Sequence, residues 1–279
     1  MLPTRRPLVI VMPYLERDGI HFYYEISGEG RALVFCHGLT GNLENAKELL
    51  GDFAGFRLIF WDSRGHGKTQ PAGPAQSFNF DTFARDLAAI LDHLGIGRAV
   101  VGGISMGAAV STRFAVLCPE RVRALVLVRP AWLTDGPPEG LKFHPMVSDL
   151  LGRYGAEHGR EVFERSPEYQ KLLHRSPMDA AALAGQFAEA FAVERRARLD
   201  GIPRDAPIRD WSEVNGVVMP SLVIGNEPDF IHPLAYAVEW AKRLPNGRLV
   251  QVPPKAIDFE SHALAVRSNL REFLSGVLR

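Results

Sequence analysis

The sequence has little cysteine and no excess of charge of either sign. Only two cysteines occur among 279 residues, Cys36 and Cys118, and neither belongs to a CxxC pair or a Cys/His cluster. This scarcity argues against a disulfide framework and against a structural metal site, so we expect no metal. The 32 basic side chains balance 32 acidic ones, which leaves no electrostatic footprint for nucleic acid.

Long apolar runs are also missing. No run approaches the ~20 residues that a membrane span needs, so we expect no membrane partner. Residues 1–12 carry basic side chains before a few apolar ones, but Pro7 interrupts them and no cleavage site follows, so we interpret them as a loose leader. Free cysteines suit a reducing compartment, and we expect a cytoplasmic protein.

What the sequence does contain is a regular alternation of strand and helix patterns from residue 20 onward. Short apolar runs separated by segments of helical periodicity predict an α/β fold with a mostly parallel central sheet flanked by helices. Strands are predicted at 21–26, 32–36, 56–61, 98–102, 123–129, 217–224 and 248–252. A helix is predicted at about 81–94, with Gly95 as its stop.

Residues 131–213 break this alternation, because they contain no convincing strand and several helical stretches. We interpret them as a helical cap inserted into a core formed by residues 1–130 and 214–279. The clearest helix of this segment is predicted to start at Ser176 and Pro177, an N-cap followed by proline at the first helical position. A block inserted between two core strands is well placed to cover a small-molecule pocket.

A nucleophile motif stands at the centre of the core pattern. Gly103-Ile-Ser105-Met-Gly107 follows an apolar strand and precedes a helix. In a G-x-S-x-G turn the serine adopts a strained backbone that lifts its hydroxyl clear of the sheet, and the glycines permit close strand–helix packing. Ser105 is therefore the predicted nucleophile.

With its flanking segments this motif resembles the α/β-hydrolase family. His37-Gly38-Leu39 is similar to the family's His-Gly loop, and residues 61–67 are similar to its D-x-R-G-x-G turn. The resemblance implies that the His37 ring braces its loop and takes no part in proton transfer. It also implies an oxyanion hole, for which the backbone N–H groups of Leu39 and Met106 are the candidates.

A serine nucleophile needs a base and a carboxylate, which in this family follow the serine in the order Ser, Asp/Glu, His. Asp229, four residues before Pro233, resembles the family's acid. Glu227 is an alternative because the gap from Gly225 is one residue longer than usual. Another alternative is that Asp229 only caps the helix that follows.

The base is harder to place, because the usual Gly-His is missing after the last strand. Its slot falls near 256–257, whereas the nearest histidine beyond it, His262, is displaced to the start of the C-terminal helix. His232 is the other candidate, but it lies three residues after Asp229 and directly before Pro233. We predict that His262 approaches Ser105 from a separate loop and acts as the base.

These assignments predict hydrolysis of a small carboxylic ester or lactone through an acyl-serine intermediate, with no cofactor. Cleavage of a carbon–carbon bond beside a ketone, or ligand binding without catalysis, are the alternatives. Arg129 and Trp132 follow a core strand at its carboxyl end and are predicted to bind substrate, Arg129 through a substrate carboxylate. A salt bridge from Arg129 to the insertion is the competing interpretation.

Overall fold

The structure is a computed structural model that describes residues 13–134 and 139–277. It contains eight strands, β1 Tyr14–Arg17, β2 Ile20–Ser27, β3 Arg31–Cys36, β4 Phe56–Trp61, β5 Ala99–Ile104, β6 Val122–Val128, β7 Ser221–Gly225 and β8 Gly247–Gln251. Its α-helices are α1 Leu43–Leu50, α2 Phe80–His93, α3 Met106–Leu117, α4 Phe143–Glu164, α5 Pro167–Arg175, α6 Pro177–Gly185, α7 Ala192–Arg195, α8 Arg198–Arg204, α9 Leu234–Arg243 and α10 Phe259–Val277.

All eight strands form one sheet in the order β1-β2-β4-β3-β5-β6-β7-β8. The pairs from β4 to β8 are parallel, while β1 with β2 and β2 with β4 are antiparallel. The parallel strands therefore end at one common edge of the sheet. Loops that follow β3, β5, β6, β7 and β8 meet there, and ligands bind at this edge in open α/β sheets.

Alternation along the strands explains why helices cover both faces. In β3, Leu33 and Phe35 pack with α1 and α10 on one face, whereas Val34 and Cys36 pack with α2 and α3 on the other. Successive strand residues point to opposite faces, so a strand buried on both must be apolar throughout. The seven predicted strands are present with ends shifted by at most two residues, except that β7 begins at Ser221, four residues after its predicted start at Val217. The sequence pattern missed β1.

Only helices occur between β6 and β7 in the part of this segment that the structure describes. The helix predicted at Ser176 is α6, although the Ser176 hydroxyl donates to the Asp179 carboxylate at 2.6 Å rather than capping the backbone. The exact division into core and cap stays a prediction. The leader at residues 1–12 and the turn at 135–138 lie outside the described residues.

None of the helices in the described ranges is both long and apolar enough to cross a bilayer.

Candidate active site

Ser105 occupies the turn between β5 and α3, at the edge where the parallel strands end. Its backbone has φ 55° and ψ −109°, a region that residues other than glycine seldom adopt. The Ser105 N–H donates to the Val128 carbonyl at 3.0 Å, which ties the turn to the neighbouring strand β6. Such strain persists only where the surroundings hold it, and it concentrates at functional sites.

The two glycines of the motif allow three backbone segments to pack closely around this turn. A Cβ at Gly107 would lie 2.2 Å from the carbonyl oxygen of Cys36, and a Cβ at Gly103 would lie 2.5 Å from the carbonyl carbon of Gly107. No side chain tolerates such distances against backbone. Both positions therefore require glycine, which is the role that the sequence motif predicts.

A chain of hydrogen bonds joins Ser105 to His232 and Asp229. The Oγ of Ser105 lies 2.9 Å from Nε2 of His232, and Nδ1 of His232 lies 2.9 Å from Oδ1 of Asp229. All three side chains are at least nine-tenths buried, with the Asp229 side chain only 6% exposed. A serine, an imidazole and a carboxylate in this order form the arrangement that activates a hydroxyl nucleophile.

The loop between β7 and α9 supplies both the imidazole and the carboxylate. Oδ1 of Asp229 accepts the backbone N–H of His232 at 3.0 Å, so the chain turns back on itself within three residues. This turn lays the imidazole ring beside the carboxylate. The alternative that Asp229 only caps the following helix is not supported, because Pro233 is the N-cap of α9 and no side chain hydrogen-bonds there. The Asp229 carboxylate instead accepts an N–H within the loop that carries His232.

The expectation that His262 approaches Ser105 is wrong. His262 belongs to the first turn of α10, where its Nδ1 donates to the Pro253 carbonyl at 2.8 Å. Its ring lines a neighbouring cavity, and no hydrogen bond links it to Ser105 in the described ranges. The helix fixes His262 where it is, whereas a turn of only three residues is enough to bring His232 to the serine.

Arg129 holds the carboxylate from the far side. Its Nε and Nη2 atoms both lie 2.7 Å from Oδ2 of Asp229, and the Arg129 side chain is 4% exposed. Arg129 adopts φ 51° at the end of β6, which turns its side chain toward this loop. The guanidinium is thus paired with Asp229 and not with the helical segment, although Arg129 also lines the cavity beside Ser105. The alternative acid, Glu227, is exposed and lies outside the cavity beside Ser105.

The contacts determine where the protons lie. Nη2 of Arg129 also comes within 2.9 Å of Nδ1 of His232, but a guanidinium only donates and Nδ1 can carry one proton. A Ser105 hydroxyl that donates to Nε2 requires the proton on Nδ1, where Asp229 accepts it. We therefore assign Arg129 as a donor to Asp229 alone, with its close approach to the ring as a consequence.

Charge and burial shift the pKa values of this group in a consistent direction. Burial raises the pKa of Asp229, but the charges and hydrogen bonds of His232 and Arg129 outweigh it and hold that pKa well below its usual range. Burial, assisted by the Arg129 cation, lowers the pKa of His232 from its ordinary 6.5. The imidazole is therefore neutral and able to accept a proton at neutral pH.

Two backbone N–H groups near Ser105 are available as donors. Leu39 follows β3 and Met106 follows β5, and these strands are neighbours in the sheet. Neither N–H has a hydrogen-bond partner within 13–134 or 139–277. The His37 ring donates to the Gly38 carbonyl at 2.8 Å and accepts the Ser63 N–H at 3.1 Å, so it braces the Leu39 loop as expected.

A cavity of about 220 Å³, here called the serine cavity, opens beside Ser105 and His232. Its walls combine core loops with residues of the helical segment, among them Leu141, His144, Met178, Asp179 and Leu183. Trp132 is not among the lining residues. Its ring is buried against Phe80 with centroids 5.3 Å apart, so the structure does not place it where a substrate could touch it.

Sequence reasoning missed two features of this site. One is the Arg129–Asp229 ion pair, since nothing in the sequence connects residues 100 positions apart. The other is Lys255, which lines the serine cavity from the loop after β8. The signal for His232 was present in its spacing from Asp229, because an Asp side chain can bond a backbone N–H a few residues on.

Clusters of three or more His, Cys, Asp or Glu side chains that could hold a metal ion are absent from the ranges described.

Comparison with known proteins agrees with the fold. A sequence profile described as the alpha/beta hydrolase fold matches residues 31–256. A non-heme chloroperoxidase from Burkholderia pyrrocinia is 28% identical over 258 residues, which cover 87% of this chain and 91% of that protein.

Among solved structures, the enol-lactonase from Burkholderia xenovorans LB400 superposes with a TM-score of 0.71 at 22% identity, covering 94% of this chain and all of that one. A hydrolase from Pseudomonas aeruginosa PA01 superposes with a TM-score of 0.69 at 22% identity, covering 94% and 97%. These likenesses confirm the predicted fold class of a mostly parallel sheet flanked by helices.

Proposed function

The chain belongs to the α/β-hydrolase family, and from this premise we propose that it is a serine hydrolase of small carboxylic esters or lactones. The observation that carries the proposal is the hydrogen-bond chain from Ser105 through His232 to Asp229. Members of one fold run different reactions, so the activity is argued from this site and not from the fold.

Acylation uses each part of the site in turn. His232 Nε2 takes the proton of the Ser105 hydroxyl while Oγ bonds to the carbonyl carbon of the substrate, and Asp229 stabilises the imidazolium that forms. The carbonyl oxygen becomes an oxyanion, and we assign the N–H groups of Leu39 and Met106 as the donors that stabilise it. The imidazolium then gives its proton to the leaving alkoxide as the carbon–oxygen bond breaks, which leaves an acyl-serine.

Deacylation repeats these steps with water. His232 removes a proton from water, the hydroxide oxygen bonds to the acyl carbon, and Ser105 leaves with the proton returned by the imidazolium. A carboxylic acid is released and the enzyme is regenerated. No cofactor is needed for either half of the reaction.

The surroundings of the site support an ester or lactone of modest size. The serine cavity holds about 220 Å³, and the helical segment covers part of it with apolar side chains such as Leu141 and Leu183. A structural neighbour named as an enol-lactonase supports including lactones among the candidate substrates.

The proposal is tested with a fluorophosphonate probe and with panels of esters, lactones and diketones. We expect the wild type to be labelled and Ser105→Ala to be neither labelled nor active, because the covalent step needs the hydroxyl. Ser111→Ala is the matched control, since Ser111 lies in α3 with its hydroxyl donated to the Gly107 carbonyl at 2.7 Å.

Three results would contradict the proposal. Near-normal activity in folded Ser105→Ala would remove the nucleophile. Ligand binding by a wild type that is neither labelled nor active would favour a binding protein. Turnover of diketones alone would favour the carbon–carbon hydrolase.

A further inference from the structure

We propose that Lys255 binds a carboxylate of the substrate, so that the enzyme prefers esters or lactones that carry a negative charge. The inference rests on the proposed function, because it names the substrate class of the same site. It assigns to Lys255 the carboxylate-binding role that the sequence suggested for Arg129.

Lys255 lies where a substrate would meet it. It belongs to the loop between β8 and α10 and lines the serine cavity together with Ser105 and His232. It also lines an adjoining cavity of about 280 Å³, whose wall includes His262 and Glu48. The position of Lys255 between the two cavities allows its ammonium group to reach a ligand in either one.

The charge of Lys255 is not matched by a protein carboxylate. Within residues 13–134 and 139–277 its ammonium group has no ion pair within 4.0 Å and no hydrogen bond. Arg129, the other cation of the serine cavity, is already paired with Asp229 at 2.7 Å. Lys255 is therefore the cation of this cavity that an incoming anion can neutralise.

The carboxylate of Asp179 lines the same cavity but has its own partners. It stands in the first turn of α6, where the helix dipole favours a negative charge, and it accepts the Ser176 hydroxyl at 2.6 Å. It lies beyond ion-pair distance of Lys255. Asp179 thus leaves the Lys255 ammonium group available.

Burial makes the unpaired ammonium group receptive to an anion. Burial lowers the pKa of Lys255 from its ordinary value, and the nearby Arg129 cation lowers it further. The more distant carboxylates of Asp179, Asp229 and Glu48 oppose this shift but do not cancel it. A partly desolvated cation gains more from a carboxylate than an exposed one does, because the interaction is less screened. Hydrogen bonds to charged groups are correspondingly stronger than neutral ones.

The test compares two esters of the same shape that differ in charge. One is a monoaryl ester of adipic acid, which carries a free carboxylate, and the other is the aryl ester of adipamic acid, in which a neutral amide replaces it. We expect the wild type to have a higher kcat/KM for the anionic ester than for the neutral one. We expect Lys255→Met to lower kcat/KM for the anionic ester by about 10–100-fold and to leave kcat/KM for the neutral ester unchanged.

Two further variants separate charge from packing. Lys255→Arg should keep most of the preference for the anionic ester, because it keeps the positive charge. Lys242→Met should change neither rate, since Lys242 is exposed on α9. Equal losses for both esters in Lys255→Met, or no preference in the wild type, would overturn the proposal.

Binding measurements in the absence of hydrolysis test the role of Lys255 separately from the proposed function. Adipate and adipamide are titrated calorimetrically into Ser105→Ala, alone and combined with Lys255→Met or Lys255→Gln. We expect adipate to bind more tightly than adipamide only where Lys255 is present. Equal binding of the two overturns the carboxylate site whether or not esters are hydrolysed, while loss of probe labelling with adipate binding intact overturns only the hydrolase.

Discussion

The loops after β7 and β8 both carry polar side chains to the edge of the sheet where Ser105 lies, yet they do different things. The first, between β7 and α9, places Asp229 and His232 in one hydrogen-bonded turn that reaches the serine. The second, between β8 and α10, presents Lys255 to the cavity and leaves His262 bonded to the Pro253 carbonyl. The difference shows that a local turn, and not the usual order of loops, determines which histidine contacts Ser105.

Exchanging the two histidines for alanine tests this comparison most directly. We expect His232→Ala to lower kcat by on the order of 10⁴-fold or more, because the serine loses its base. His262→Ala should retain activity within a few-fold. Both are measured as kcat/KM and as the rate of fluorophosphonate labelling, with circular dichroism to verify folding. Equal losses in the two folded variants would contradict the assignment of His232.

The carboxylates of the first loop offer the next largest effect. Asp229→Asn should lower kcat by on the order of 10³–10⁴-fold, since the amide no longer stabilises the imidazolium and its NH₂ favours the wrong tautomer. It should also destabilise the fold by about 3–5 kcal/mol, because Arg129 is left buried without its partner. Glu227→Gln is the control and should match the wild type in both activity and melting temperature.

Replacing Arg129 tests the loop after β7 through the pH dependence of kcat/KM. His232 acts as a base only when neutral, and its pKa is lowered from 6.5, so activity should persist below pH 6.5. Arg129→Met removes a cation that lowers the pKa of His232 and leaves the negative charge of Asp229 without its partner. Both changes raise the pKa of His232. The acid limb of kcat/KM should therefore move to higher pH, with about a tenfold loss of rate from a less constrained Asp229. An unmoved acid limb would show that Arg129 has only a packing role.

Substitution of His144 is expected to have the smallest effect. It tests whether a histidine that only lines the serine cavity takes part in proton transfer. His144 lines the serine cavity from the helical segment, and its Nδ1 donates to the Leu141 carbonyl at 3.2 Å. Burial lowers its pKa to about 4, so it stays neutral across the working range. His144→Gln should change kcat/KM by about threefold at most and leave the acid limb unmoved. A loss comparable with that of His232→Ala would assign His144 a part in proton transfer.

Much of the fold could be predicted from the sequence because its signals are local. Strands buried on both faces must be apolar throughout, and the elbow needs glycine beside a strand and a helix, so Gly103, Ser105 and Gly107 could be placed without coordinates. The short edge strand β1 escaped prediction because its four residues are exposed or only half-buried and two of them, Glu16 and Arg17, are charged. The candidate role of Leu39 after β3 came from the resemblance of residues 37–39 to the family's His-Gly loop.

The sequence by itself determined the α/β class and the strand–turn–helix at Ser105, and it offered Asp229 beside Glu227 as the candidate acid, since each of these depends on residues that are neighbours along the chain. Only the tertiary structure decided that His232 contacts Ser105, that Arg129 pairs with Asp229 and that Lys255 lines the cavity. Those contacts join residues about 100 or more positions apart. Their geometry depends on how the packed sheet and helices fix the loops that follow β5, β6, β7 and β8. Distances of a few ångströms between such residues follow from the packed sheet edge, which no local pattern encodes.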